Sequence, residues 1–257
     1  MLIAIDIGNT NITIGLFRES ELVSTWRFST DSQKTSDEYG LLLKQVMSYN
    51  NIKVAQIEEA AICSVVPPLT PTFESLCKTY MDVNPLTVVA ETKTGIKVLY
   101  DSPRDVGTDR IVDAAAAHHM YGGPCIIVDL GTATVFDAVN ERAEYLGGAI
   151  APGMIVSADS LYRATSQLRR VELNAPDQAI GKNTTHSIQS GLVFGYSELI
   201  KGMIARFKKE IGTDATVIAT GGQATIVKDH VGEFDYIDPD LTLKGLQIVH
   251  SLNINKR

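Results

Sequence analysis

The sequence predicts an α/β fold built twice, as two units each holding a mixed five-stranded sheet flanked by helices, divided into residues 1–114 and 115–257. Three observations predict it. Asp6-Ile-Gly-Asn-Thr-Asn-Ile-Thr13 and Asp129-Leu-Gly-Thr-Ala-Thr-Val-Phe136 each follow a β-branched apolar run and share Asp-aliphatic-Gly before a small polar residue. They stand 123 positions apart in a chain of 257 residues, about half its length, which is the spacing of an internal duplication. Around both motifs the same order of patterns recurs: three strands in a meander, then helices alternating with strands. That order requires a mixed sheet with helices on its faces.

In the first half, alternating apolar runs at Leu2 to Ile7, Asn11 to Arg18 and Glu21 to Ser29 read as strands, punctuated by turn residues at Gly8-Asn9 and Glu19-Ser20. A helical period over Asp37 to Tyr49 has Ser36 as its cap. A strand at Ala60 to Val66 ends at Pro67-Pro68, and a helix at Thr72 to Tyr80 and a strand at Leu86 to Ala90 complete the half. The second half reads as strands at Cys125 to Leu130, Ala133 to Val139 and Ala143 to Ile150, with helices near Ile155 to Ala164 and Thr185 to Lys209. A strand at Thr216 to Ala219, a helix after Gly222, a short strand at Phe234 to Ile237 and a helix at Leu241 to Leu252 finish it. The groove between two such units is the expected ligand site.

Composition narrows the function classes. The chain is 44% hydrophobic and 21% charged, with a mean hydropathy of +0.04, the balance of a soluble globular protein. A formal charge of −7 provides no whole-molecule field for nucleic acid or an anionic membrane. The opening Met1-Leu-Ile-Ala-Ile-Asp6 lacks a basic region, and no run approaches the ~18 apolar residues of a membrane span, so a cytoplasmic location is expected. Cys63, Cys77 and Cys125 are odd in number and show no C-x-x-C spacing; reduced, buried thiols are the reading.

An Asp at a strand end followed by Gly and small polar residues lets backbone N–H groups approach a polyphosphate, while the carboxylate orients hydrated Mg²⁺. Asp, Gly and Asn are also plain turn formers, so the pairing of the two motifs carries the argument. Downstream, Val217-Ile-Ala-Thr-Gly-Gly-Gln-Ala224 runs a strand into paired glycines at a helix start, suited to close contact with an adenosine. No G-x-x-x-x-G-K-S/T and no G-x-G-x-x-G occurs, so the P-loop and dinucleotide-fold readings lose their main support. The loop Tyr100-Asp-Ser-Pro-Arg-Asp-Val-Gly107-Thr-Asp-Arg110 delivers Asp109 to the first turn of an Ala-rich helix from Ile111 to Met120. There the helix dipole favours an ionised carboxylate able to accept a hydroxyl proton, with Arg110 beside it for an anionic group. A capping Asp with a surface ion pair is the competing structural account.

Two Asp-Gly hairpins followed by a Gly-Gly strand end have the arrangement of the actin, hexokinase and acetate kinase superfamily. Over nearly the whole chain the sequence resembles the type III pantothenate kinases: Asp6-Ile-Gly-Asn-Thr-Asn11, Pro103-Arg-Asp-Val-Gly-Thr-Asp-Arg110, Asp129-Leu-Gly-Thr-Ala-Thr134, Gly147-Gly-Ala-Ile-Ala-Pro-Gly-Met154, Gly181-Lys-Asn-Thr184, Gln189-Ser-Gly191 and Asp238-Pro-Asp-Leu-Thr-Leu-Lys-Gly245.

The resemblance implies two duplicated ribonuclease-H-like domains of the actin-like ATPase kind and ATP-dependent phosphorylation of pantothenate to 4′-phosphopantothenate, the first step of coenzyme A biosynthesis. It implies that Asp6, Ile7, Gly8, Asn9, Thr10, Asn11, Ile12, Thr13 and Thr132 bind ATP, with Asp6 directed to Mg²⁺ through water. Asp109 becomes the general base; Tyr100, Gly107, Thr108, Asp109, Arg110 and Thr184 bind pantothenate; and Asp129 coordinates a monovalent cation, K⁺ or NH₄⁺. In this family Thr184 comes from the partner subunit of a homodimer. On the residues alone, Tyr100 also fits a packing aromatic, Thr184 a helix N-cap and Asp129 a hairpin turn. Two other functions fit the hairpins: a related kinase of small hydroxy acids, and an ATP-sensing transcription accessory protein of the same fold.

Overall fold

The computed structural model describes residues 1–254. Strands β1 (Leu2–Ile7), β2 (Asn11–Arg18) and β3 (Glu21–Ser29) form the expected meander. Helix α1 (Ser36–Tyr49), β4 (Glu59–Ser64), α2 (Thr70–Met81) and β5 (Leu86–Thr87) follow. The first sheet runs β3-β2-β1-β4-β5, with β1 antiparallel to β2 and parallel to β4. β1 is apolar on both faces because both are covered: Ile3, Ile5 and Ile7 pack toward α1 and α2, while Leu2 and Ala4 pack toward helices α3 (Thr108–Tyr121) and α7 (Leu241–Asn253). The pattern of β3 alternates instead, as befits an edge strand with one covered face.

Several boundaries differ from expectation by a few residues, two of them for identifiable reasons. The cap of α1 is Thr35, not Ser36: Thr35 accepts from the Glu38 amide while the Glu38 carboxylate accepts from the Thr35 amide, a reciprocal capping box that outcompetes the neighbouring serine. The strand expected to Ala90 is only Leu86–Thr87, since its β4 partner offers pairing only at Ala61 and Ile62.

The second sheet has the order β11-β10-β7-β8-β9-β6. Its members are β6 (Lys97–Val98), β7 (Cys125–Leu130), β8 (Ala133–Val139), β9 (Glu144–Pro152), β10 (Thr216–Thr220) and β11 (Tyr236–Ile237). It therefore has six strands rather than five. The extra one, β6, is two residues long and pairs parallel to β9, too short to leave any periodicity in sequence. α4 (Met154–Ala164), α5 (Thr184–Ile211) and α6 (Ala224–Val231) complete this half. Ile200 and Ile204 of α5 and Val227 of α6 pack with Ile126, Val128 and Val217 of the sheet in one buried cluster. Each half is thus a mixed sheet flanked by helices.

By their contacts, residues 1–96, 101–116 and 241–254 group as one unit, and 97–100 with 117–240 as another. The boundary expected between 114 and 115 falls inside α3, close to the crossover. Helix α7 packs on β1, β2 and β4 of the first unit, which its position at the far end of the chain does not announce. All three cysteines are free and buried, as expected.

Gly245 marks where α7 crosses α3. A Cβ there would collide with the Val112 carbonyl, a backbone atom that no rotamer change can move aside. Gly245→Ala should lower unfolding free energy by about 1–3 kcal/mol, read from the midpoint of urea denaturation; an unchanged midpoint would mean that the two helices separate freely.

Candidate active site

In the first unit, Asp6 stands half-buried near the end of β1, opposite Thr13 of β2 on one side and Cys63 of β4 on the other. The chain then turns through Gly8, Asn9 and Thr10, closed by Gly8 N–H donating to the Asn11 carbonyl at 3.0 Å. Asn9, Thr10 and Asn11 are exposed, whereas Ile7 and Ile12 are fully buried, so those two can offer a ligand only their backbone. From the end of β3, the Thr30 amide donates to the Thr10 carbonyl at 3.0 Å and the Thr30 hydroxyl to the Gly8 carbonyl at 2.6 Å.

The start of α3 is tethered to the same strand end. Thr108 Oγ1 donates to the Ser64 carbonyl at 3.2 Å and lies 3.3 Å from Cys63 Sγ. Ser64 is braced in turn: its hydroxyl accepts from Thr70 Oγ1 at 2.9 Å and from the Val66 amide at 3.2 Å. Cys63 is the in-register neighbour of Asp6, so this tether brings Asp109, one residue on, to the edge that Asp6 occupies. The Cys63 thiol senses both: burial pushes its pKa well up, and the Asp6 and Asp109 carboxylates add to the rise.

Asp109 folds back over its own helix start, accepting from the Arg110 amide at 2.8 Å. That is possible because residue 107 is glycine; a Cβ there would lie 2.5 Å from Asp109 Oδ1. Burial raises the pKa of the Asp109 carboxyl above the usual carboxylate range, and the Arg110 amide and guanidinium oppose the rise. The Thr108 side chain, by contrast, is spent on Ser64 and Cys63, which leaves its backbone for a ligand.

In the second unit, β7 ends at a half-buried Asp129, and the turn to β8 passes through Gly131 and an exposed Thr132, closed by Gly131 N–H donating to Ala133 O at 3.0 Å. Gly221, at φ +85°, sits against Asp129: a Cβ there would collide with Asp129 Oδ1 and with the Leu130 carbonyl. Gln223, buried at the start of α6, donates from its backbone to Leu130 O at 3.0 Å and from Nε2 to Gly131 O. The strand-Gly-Gly motif and the second Asp-Gly turn are thus one packed assembly.

Tyr100 also belongs to this unit. Its ring lies over Gly147, 3.5 Å from where a Cβ would stand, with the Tyr145 ring centroid 6.4 Å away. Tyr145 is fixed from below by donating its hydroxyl to Asp137 at 2.6 Å. Tyr100 remains partly exposed, so it is seated but not sealed in a core. Thr184 is the first residue of α5 and exposed; the cap is Asn183, whose side chain accepts from the His186 amide at 2.9 Å. The capping account of Thr184 therefore passes to its neighbour.

Thr30, Cys63 and Gln223 carry structural weight in these sites and were not legible as site residues. Gln223 lay within a quoted motif, but its reach to Gly131 spans 92 positions and leaves no trace in local spacing.

A sequence model of the type III pantothenate kinase family matches residues 2–206. A type III pantothenate kinase from Dehalococcoides mccartyi strain CBDB1 is 46% identical over 252 residues, covering 98% of this chain and 96% of that one. Among solved structures, a protein described as a Baf family transcriptional activator from Campylobacter jejuni superposes with a TM-score of 0.61 at 19% identity over 98% of both chains. The inorganic polyphosphate/ATP-glucomannokinase of Arthrobacter sp. strain KM gives 0.53 at 13% identity, over 98% of this chain and 99% of that one. At such identities these two structures speak to the fold alone. No helix among the described residues is long and apolar enough to cross a membrane. With a family model across most of its length and a relative close to half identical from end to end, the chain belongs to the type III pantothenate kinase family.

Proposed function

We propose that this enzyme transfers the γ-phosphoryl group of ATP to the primary hydroxyl of pantothenate, yielding 4′-phosphopantothenate and ADP in the first step of coenzyme A biosynthesis, with Asp109 as general base. The observation that carries the reading is the tether from Thr108 to the end of β4, which holds the start of α3, and Asp109 with it, at the strand ends where Asp6 lies. In the transfer, the pantothenate hydroxyl gives its proton to the Asp109 carboxylate as its oxygen bonds to the γ-phosphorus. The bond from that phosphorus to the bridging oxygen breaks, and ADP leaves with the electron pair. Alignment and charge neutralisation supply most of the acceleration in such a reaction, and one positioned base adds roughly 10²–10⁴-fold.

The remaining roles follow from exposure and chemistry. Asp6 to Thr13 and Thr132 take ATP, Ile7 and Ile12 through backbone alone. Gly107, Thr108, Arg110 and Tyr100 take pantothenate, Arg110 pairing with its carboxylate and Tyr100 offering a ring face. Among the described residues no group of three or more His, Cys, Asp or Glu is arranged to hold a metal. Mg²⁺ therefore fits as an ion carried on the ATP phosphates, where it would neutralise developing charge, with Asp6 orienting its water shell. Asp129, pressed against Gly221, fits a monovalent cation, K⁺ or NH₄⁺. We further read the matched strand orders, a three-strand meander joined to two parallel strands in each sheet, as two duplicated ribonuclease-H-like domains.

A homodimer supported by apolar side chains at the surface of the second unit completes the reading. Ile150, Ile155, Val156, Leu161, Tyr162 and Leu199 are all exposed on β9, α4 and α5. Thr184, at the start of α5, would serve the pantothenate site of the partner subunit. Ile155→Asp should yield monomers by light scattering and raise the KM for pantothenate more than that for ATP; a monomer with native pantothenate kinetics would end the shared-site reading.

Asp109→Asn should lower kcat by roughly 10²–10⁴-fold in a coupled assay for ADP release. The acid limb of the wild-type kcat/KM profile should lie above the usual carboxylate range, because burial raises this group. A raised folded pKa gives a stabilising contribution that is fully present below the unfolded value and is lost as pH rises through the folded one. At neutral pH the ionised Asp109 therefore costs stability, and the Asn variant should melt no lower than wild type. Near-normal turnover would remove Asp109 from the role of base, and a lowered melting temperature at neutral pH would mean that burial does not raise its pKa.

A further inference from the structure

Both Asp-Gly turns share a feature that neither motif contains. In the first, the carbonyl of Gly8 accepts a hydrogen bond from the side chain of Thr30; in the second, the carbonyl of the corresponding glycine, Gly131, accepts one from the side chain of Gln223. The donors are of different chemistry, come from different kinds of element, and each lies wholly within its own unit: Thr30 just past the end of β3, Gln223 at the cap of α6.

Each donor is itself fixed. Thr30 is flanked by backbone groups anchored to one buried hydroxyl: Tyr39 Oη accepts from the Asp31 amide at 2.9 Å and lies 3.1 Å from the Asp31 carbonyl. The Tyr39 ring is fully buried, 4.9 Å from the Phe73 ring centroid. Gln223 is buried and bonded through its own backbone to Leu130, the residue before Gly131. A rigid donor on a glycine carbonyl sets the orientation of a peptide that has no side chain to set it otherwise.

The consequence follows from peptide geometry. In a planar trans peptide the carbonyl of one residue and the N–H of the next point in opposite directions. The only cis peptide among the described residues is Gly123-Pro124, so both glycine peptides are trans. Holding the Gly8 carbonyl toward Thr30 therefore turns the Asn9 N–H away from Thr30, and holding the Gly131 carbonyl toward Gln223 turns the Thr132 N–H away from Gln223. Without the donors either peptide can rotate, presenting a carbonyl oxygen to an anion in place of an amide.

We propose that Thr30 and Gln223 are positioning residues for the nucleotide phosphates, acting through the peptides they hold: each caps a glycine carbonyl so that the following amide, of Asn9 or of Thr132, is presented to phosphate oxygen. The inference rests on the ATP-binding reading above. It assigns neither residue a direct contact with ATP. It predicts a defect confined to the charged part of the nucleotide, which a general loosening of the fold would not produce.

The test uses Thr30→Val and Gln223→Met, each close in shape and lacking the donor, with Thr30→Ser as the restoring variant. Affinities for MgATP and for adenosine are measured by calorimetry on the full chain at fixed ionic strength, with melting temperature recorded for each. Losing one donor should weaken MgATP roughly ten-fold in Thr30→Val and in Gln223→Met, leave adenosine affinity unchanged in Thr30→Val, whose site lies outside the adenosine segment, and be reversed in Thr30→Ser. MgATP affinity unchanged in both donor-less variants, or adenosine affinity falling in step with that for MgATP in Thr30→Val, would overturn the proposal. Wild-type protein that binds no MgATP would overturn the nucleotide reading and this inference with it, whereas tight wild-type binding with unaffected variants overturns this inference alone.

Discussion

The pairing of β1 with β4, in the register that sets Asp6 beside Cys63 and Ile7 beside Ser64, is the constraint on which the first unit's chemistry depends. One strand brings a carboxylate to the sheet edge. The other supplies the carbonyl and thiol that grip Thr108 and with it the start of α3. A shift of one residue in this register would exchange the faces of β4, burying Ser64 where Cys63 now packs, and would separate Asp109 from Asp6. Ile62 of β4 fills the core under α1 and α2 while the small Ala61 and Cys63 face α3 and α7, so such a shift would also exchange large and small side chains between two packed cores. The positions of the two acids are thus a by-product of core packing, and their neighbourhood does not need to be stable in its own right.

That dependence explains how a poorly solvated acid is tolerated. Asp109 lies where burial opposes its ionised form, offset only in part by the Arg110 amide, the Arg110 guanidinium and its own amide. A carboxylate whose pKa is raised is a better proton acceptor, so the same desolvation that weakens the fold would suit Asp109 to the role of base proposed for it. Gly107 is the local concession: any side chain there would strike the carboxylate. Cys63, surrounded by negative charge and buried, stays a neutral thiol and contributes as a small contact for Thr108.

Much of the fold was legible because it is written in short-range patterns. The apolar runs of β1, β2, β7 and β8 and the Asp-Gly turns between them lie within a few residues of one another, and their ends were read as the structure has them. What escaped depends on partners distant in sequence. β6 exists only because β9 offers it an edge, and α7 joins the first unit only because β1, β2 and β4 leave a face for it. The cap of α1 was misjudged by one residue because Thr35 and Ser36 are equally good acceptors in isolation, and the reciprocal bond with Glu38 decides between them. The motif carboxylates Asp6, Asp109 and Asp129 could be singled out in the sequence; the Thr108 tether and the side-chain donors on the Gly8 and Gly131 carbonyls could not.

The carbonyl caps make the reason physical. What a phosphate-binding turn requires is an orientation of one peptide, and any donor that reaches the glycine carbonyl can impose it. The first unit uses a hydroxyl next to an edge strand; the second uses an amide at a helix start. Because the demand falls on backbone geometry, it leaves no fixed residue type and no fixed spacing. Two halves that carry the same Asp-aliphatic-Gly motif can therefore differ in the residue that makes the motif work. A motif read from sequence names the atoms that meet a ligand, whereas the atoms that aim them are found only when the chain has closed around the turn.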